Sequence, residues 1–109
     1  MRVTLPEDNW VDIKDYGPNV LTGEDEDIVR SAMVLTGEGA DGKFTAAVSG
    51  SLRMEFAMLG RVITGWSLPQ PVNFANIRAL TRAQLKPMRA AIRPFMLELK
   101  DDEDDDPNS

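Results

Sequence analysis

One apolar stripe constrains this chain more than any other feature. Val48, Leu52, Phe56, Leu59, Ile63 and Trp66 recur at spacings of 4, 4, 3, 4 and 3, which is the repeat of one face of an α-helix. Met54, Met58 and Val62 form a second apolar row beside the first. The pattern predicts a helix over about 46–65, closed by Pro69 and Pro71, which remove backbone donors and bias the preceding residues away from helix. Its start is open, because Phe44 to Gly50 reads either as the first turns or as extended chain. Two apolar rows require either a central place in a bundle or a partner over part of the surface. Methionine side chains repack readily against varied surfaces. Met54, Met58, Val62 and Trp66 are therefore the candidate partner-contact residues.

The rest of the chain supplies elements for that helix to pack on. Val3 and Leu5, then Val11 and Ile13, alternate at period two around Pro6-Glu7-Asp8-Asn9, predicting a short hairpin over 2–15. Two strands alone are marginal, so the hairpin must pack on something. Thr22-Gly23-Glu24-Asp25 approximates a capping box and opens a helix over about 23–36. In it Ile28, Ala32 and Leu35 share a face flanked by Val29 and Met33, and Gly37 stops it. Gly37 to Lys43 reads as a linker. Residues 74–80 read as a short helical turn. Thr81 and Gln84 then make a capping box for a last helix over about 82–99, carrying Leu85, Met88, Ile92, Phe95 and Leu99 on one face. Pro87 and Pro94 predict a bend or break in it. Arg78, Arg82, Lys86, Arg89 and Arg93 form a basic row expected opposite that apolar face. The bland reading of the row is a solvated surface; the sharper ones are a protein partner or phosphates.

The formal net charge of −6 resides in one place. Asp101 to Asp106 supply six of the 18 acidic residues, and the remaining 12 balance 12 Lys and Arg. A whole-molecule charge argument about partners therefore fails. The fold class expected is mainly α: a small helical bundle with a short N-terminal β-hairpin, as one domain over 1–100, and a disordered acidic C-terminal tail over 101–109. The tail reads as solubilising, as a screen for the basic row, or as a mimic of nucleic-acid charge.

No His and no Cys are present, which removes disulfides, Cys/His metal sites, thiol chemistry and imidazole acid–base catalysis. Gly37 to Gly42 lacks the spacing of a phosphate-binding loop, and the acids around Asp25 and Asp27 read as a solvated helix start. No secretory leader is evident at the start, and Arg53, Glu55 and Arg61 interrupt the longest weakly polar stretch. The expectation is a non-enzymatic protein without cofactor or metal, acting on neither nucleic acid nor membrane, whose partner is another protein. Homo-oligomerisation is left open.

Val62-Ile63-Thr64-Gly65-Trp66-Ser67-Leu68-Pro69-Gln70-Pro71-Val72, followed by Asn76-Ile77-Arg78-Ala79-Leu80 before another helix, resembles the tail assembly chaperones of long-tailed bacteriophages, especially those of actinobacteria. Trp10-Val11-Asp12-Ile13-Lys14-Asp15 ahead of an acidic helix is similar to their N-terminal region, and the likeness spans most of residues 8–97. It implies a mainly helical protein of the host cytoplasm that coats the apolar, aggregation-prone tape measure protein during tail assembly and is absent from the finished tail. Such proteins are commonly made in short and frameshift-extended forms. The family offers no binding motif that transfers residue by residue. Two other readings fit a chain of this kind: a structural connector or tail subunit of the virion, and an acidic inhibitor that mimics DNA.

Overall fold

The computed structural model describes the backbone of residues 1–34 and 43–104 and the side chains of residues 1–32 and 52–100. The described elements run β1 (Arg2–Thr4), a 3-10 turn (Pro6–Asp8), β2 (Trp10–Ile13), α1 (Gly23–Val34), α2 (Lys43–Val62), β3 (Ile63–Trp66), α3 (Phe74–Arg78), α4 (Arg82–Ala91) and α5 (Arg93–Asp104). The fold is mainly helical, as expected. Helix α2 is its hub and touches α1, α3, α4 and α5, while β1 lies against α4.

The N-terminal hairpin forms, pairing Val3 with Val11 and Thr4 with Trp10. Its connection is a tight turn in which Glu7 and Asp8 both take positive φ, 61° and 63°. The Leu5 amide donates to the Asn9 carbonyl at 2.8 Å across it. The hairpin is not the whole sheet, however. A third strand joins in the order β1-β2-β3, antiparallel throughout.

That strand corrects the long helix. Residues 63–65 were expected to be helical, but α2 stops at Val62 and the chain passes straight into β3. The β-branched run Val62-Ile63-Thr64 suits a strand, and the Lys14 amide takes up the helix-end carbonyl of Val62 at 2.9 Å. Register explains why the periodicity misled. Val11 faces Trp66, Asp12 faces Gly65 and Ile13 faces Ile63, so Thr64 is an extra residue in a bulge. Ile63 and Trp66 are three apart, a helical spacing, yet both side chains are buried, at 8% and 9% exposed. Period three thus arises here from a bulged strand.

Helix α1 begins at the expected capping box. The Thr22 hydroxyl accepts from the Asp25 amide at 3.1 Å, and the Asp25 carboxylate accepts from the Thr22 amide at 3.0 Å. Its buried face differs from expectation. Val29 and Ala32 are buried with Asp25, whereas Ile28 is 38% exposed. Asp25 is drawn inward to Arg61 of α2, whose Nε donates to it at 2.6 Å, and the helix is turned accordingly. Leu35, Met33 and the linker from 37 lie outside the residues whose side chains are described.

The second capping box also forms, with Thr81 and Gln84 bonding each other's backbone amides at 3.2 and 3.0 Å. The predicted break falls at Ile92, just before Arg93-Pro94, while Pro87 is accommodated inside α4. The hydrogen-bond ladder nevertheless continues, from the Ile92 amide to Met88 and from the Met96 amide to Ile92. Ile92 itself leaves helical geometry for the bridge region, φ −90° and ψ 3°, which sets the bend. Helices α4 and α5 are therefore one rod with a bend. The rod runs to Asp104, five residues beyond the expected end at 99, so the first part of the acidic segment is helical backbone. The disorder expected of 105–109 lies outside the described residues.

The core gathers Leu5, Val11 and Ile13 from the hairpin, Phe56, Met58, Leu59 and Val62 from α2, and Leu85, Met88, Ile92, Phe95 and Leu99 from the rod. Tyr16 clamps the loop after β2 onto α5: its ring meets Phe95 edge-on at 5.1 Å and its hydroxyl donates to Glu98 at 2.8 Å.

Candidate interaction surfaces

The four residues expected to meet a partner are mostly core residues. Met58 and Val62 are fully buried, and Trp66 is buried with its indole N–H donating to the Gln70 carbonyl at 2.7 Å. Met54 is half-buried and packs on the edge of the core. This corrects the expectation for Met58, Val62 and Trp66. The apolar arc of α2 is wide because neighbours cover it on several sides: α1, α3, the bent rod and, at its end, the sheet. A helix at the centre of a fold is apolar around most of its circumference, and that alternative holds here.

Apolar surface does remain open elsewhere. Ile28, Ser31 and Ala32 of α1, Arg53 and Ala57 of α2 and Phe74 of α3 line a pocket of about 300 Å³, with Asp27 at its edge. Ser31, Ala32 and Ala57 are small and let the space exist. Phe74 supplies a wall, held edge-on by Phe56 at 6.3 Å. Asp27 and Arg53 bring opposite charges to the same opening without an ion pair between them. Sequence periodicity missed this site because it placed Ile28 in the core. No local signal revealed it: Asp25 read as part of a solvated helix start, and its bond to Arg61 of α2 is what sets it on the inner face.

Asp25 is the buried charged residue of the described chain, 4% exposed. Burial pushes its carboxyl upward, but the Thr22 amide and hydroxyl and the Arg61 guanidinium outweigh that and hold it below the usual carboxylate range. The Arg61 guanidinium is raised in turn by its bonds to Asp25 and to Glu24, the latter at 2.7 Å. The two Arg61 bonds join α2 to α1 while the Thr22 bonds cap α1, and every buried side-chain polar atom among the described residues is satisfied. The cluster is a structural clasp. Among the described residues no group of three acidic side chains gathers so as to hold a metal ion, and no helix is long and apolar enough to cross a membrane.

The basic row is divided by the fold. Arg78 ends α3, its guanidinium 5.9 Å from the Phe74 ring centre. Arg82, Lys86 and Arg89 share a face of α4, and Arg93 opens α5. All five are exposed. Arg89 pairs with Glu55 of α2 at 2.8 Å, so the row flanks the buried face instead of lying opposite it. Arg78, Arg82, Lys86 and Arg93 have no ion pair with the described residues.

Comparison of the sequence with family models and curated proteins, and of the fold with solved structures, finds no match.

Proposed function

We propose that this protein is a tail assembly chaperone of a long-tailed bacteriophage, working in the host cytoplasm by shielding apolar segments of the tape measure protein. The reading starts from the resemblance at Val62–Val72, Asn76–Leu80 and Trp10–Asp15. The single structural observation in its favour is the open apolar pocket between α1, α2 and α3. At about 300 Å³ it sits at the small end of ligand pockets and suits an apolar side chain of a protein client. Ile28, exposed at its rim, is the client-contact residue in place of the buried Met58, Val62 and Trp66. The absence of His and Cys and the full commitment of Asp25 to structure favour a binding role over a catalytic one.

Co-expression with the tape measure protein tests the reading. The client stays soluble with the wild-type chain and precipitates with Ile28→Glu, which places a charge on an already exposed position and leaves the thermal midpoint within a few degrees. A client that is equally insoluble with and without the wild-type chain refutes the proposal. Recovery of the protein in purified virions refutes it in favour of a structural tail subunit.

A further inference from the structure

We infer that the pocket between α1, α2 and α3 receives one bulky aromatic side chain, tryptophan before phenylalanine, from a segment of the protein partner that carries a basic residue on the side of Asp27 and an acidic residue on the side of Arg53 and Arg78. The inference deepens the client reading of this pocket and rests on it for the partner being a protein.

Size and lining select the anchor. An apolar cavity of about 150 Å³ binds a benzene ring, and this pocket offers about 300 Å³. A methyl or isopropyl group leaves most of that space empty and forfeits the contacts on its far side; a two-ring indole fills it. Ile28, Ala32, Ala57 and Phe74 give the lining its apolar character, and Phe74 offers a ring for an aromatic contact. Ser31 contributes the single hydroxyl of the lining, and no described residue bonds to it. An indole has one N–H to place and a phenyl ring has none. An apolar wall with one hydroxyl therefore ranks tryptophan above phenylalanine.

The rim selects what flanks the anchor. Arg61 ties α2 to α1 through Glu24 and Asp25. Arg53, earlier on the same helix, and Asp27 of α1 share the opening of the pocket with no ion pair to each other or to any described residue. Arg78 adds a second unpaired cation on the Phe74 side, its guanidinium 5.9 Å from that ring centre. The rim is therefore acidic on α1 and basic on α2 and α3. A free aromatic molecule meets only the pocket, whereas a peptide segment also meets the rim. Opposite charges on the two sides of its anchor complete the pairs that the fold leaves open. Uniform charge of either sign matches one side of the rim and is repelled by the other.

Fluorescence anisotropy of dye-labelled peptides titrated with the full chain tests this. The peptides share one sequence and differ at the anchor (Trp, Phe or Ala) and at its flanks (one Lys and one Glu, two Lys, or two Glu). Either chain direction can satisfy the rim, so the mixed peptide is compared with the uniform ones. The wild type should bind the mixed Trp peptide most tightly, the Phe peptide less well and the Ala peptide at least about tenfold less well. At about 0.02 M salt each exposed pair contributes a factor of about 1.5–5, so the mixed flanks should win by about fivefold. That margin should vanish at about 0.5 M salt, while the difference between Trp and Ala persists. Asp27→Lys makes the rim wholly basic and should move the preference to two Glu; Arg53→Glu with Arg78→Glu makes it wholly acidic and should move it to two Lys. Ser31→Phe fills the pocket from within and should abolish the advantage of Trp over Ala with the rim intact. Asp27, Ser31 and Arg78 are exposed, so these changes spare the core, and if Arg53→Glu lowers the melting temperature then Arg78→Glu alone carries its arm. Three results overturn the inference: flank preferences that ignore the rim reversals, N-acetyl-tryptophanamide bound as tightly as the Trp peptide, or no peptide bound by a wild type that sediments at higher mass than Ile28→Glu, which gives the pocket to a second copy. Peptide preferences as expected beside a tape measure protein left insoluble in co-expression uphold this inference and refute the identity of the client.

Discussion

Replacing Asp25 by alanine removes the clasp between the first two helices, and the structure sets the size of the loss. The carboxylate accepts from the Thr22 amide at 3.0 Å and from Arg61 Nε at 2.6 Å, with its side chain 5% exposed. Losing half of a capping box costs about 1 kcal/mol. A buried hydrogen bond to a charged group is worth about 1.5–3 kcal/mol. The lower end applies here, because the Arg61 side chain is 33% exposed and keeps Glu24 as a partner. The sum is about 2.5 kcal/mol, or roughly 10–20 °C in thermal midpoint for a domain of this size. Thermal and urea unfolding followed by circular dichroism measure it. Glu24→Ala is the internal control: its side chain is 73% exposed, so its loss should lie within about 0.5 kcal/mol. A double-mutant cycle with Arg61→Met should return a coupling of about 1–2 kcal/mol between Asp25 and Arg61. If Asp25→Ala costs no more than Glu24→Ala, the clasp does not hold α1 on α2, and the account of why Ile28 faces outward fails with it.

Further outcomes follow from other parts of the molecule. Because the folded-state carboxyl of Asp25 is held low, its contribution is fully present above the unfolded value, near 3.9. It disappears as pH falls through the folded value; the wild-type midpoint should therefore drop below about pH 4 more steeply than that of Asp25→Ala. Met58→Ala should cost about 2–5 kcal/mol by opening a cavity at a fully buried site, whereas Met54→Ala, half-buried, should cost about 1 kcal/mol or less; denaturant titration separates them. Gly60→Ala should stabilise by about 0.5–1 kcal/mol, since a Cβ in this helix interior meets Ile77 Cδ1 at an ordinary 3.9 Å. Exchanging Glu7-Asp8 for Asn-Gly should stabilise by about 1 kcal/mol, because both residues hold positive φ that Asn and Gly adopt more cheaply.

What the sequence made legible was local chemistry. Thr22/Asp25 and Thr81/Gln84 announced two helix starts, the alternation of Val3, Leu5, Val11 and Ile13 announced two strands, and the prolines announced a bend in the last helix. Each signal is carried within a few residues and survives tertiary context. What was not legible depends on partners far away in the chain. Ile28 looks internal until Arg61, 36 residues after Asp25, draws that carboxylate inward. Met58, Val62 and Trp66 look like surplus apolar surface until the neighbours that cover them are known. Ile63 and Trp66 mimic a helical repeat because a bulge opposite Asp12 and Ile13 adds one residue to the strand. The pocket was missed for the same reason, being formed by three elements meeting around small side chains.

The junction at Val62 and Ile63 joins α2 to β3 with no intervening residue. A residue inserted there must be absorbed by one element or the other. Taken into the helix, it turns the preceding face by about 100°; taken into the strand, it exchanges inward and outward side chains. Either shift exposes residues of the 56–66 core, whereas the 68–72 loop is tied by single bonds, from the Trp66 indole to the Gln70 carbonyl and from the Asn76 side-chain amide to the Pro71 carbonyl, and has no helical or strand phase to keep. In evolutionary terms the segment from Phe56 to Trp66 is a fixed-length ruler: side chains along it can drift in kind, but relatives of this chain should align across it without gaps.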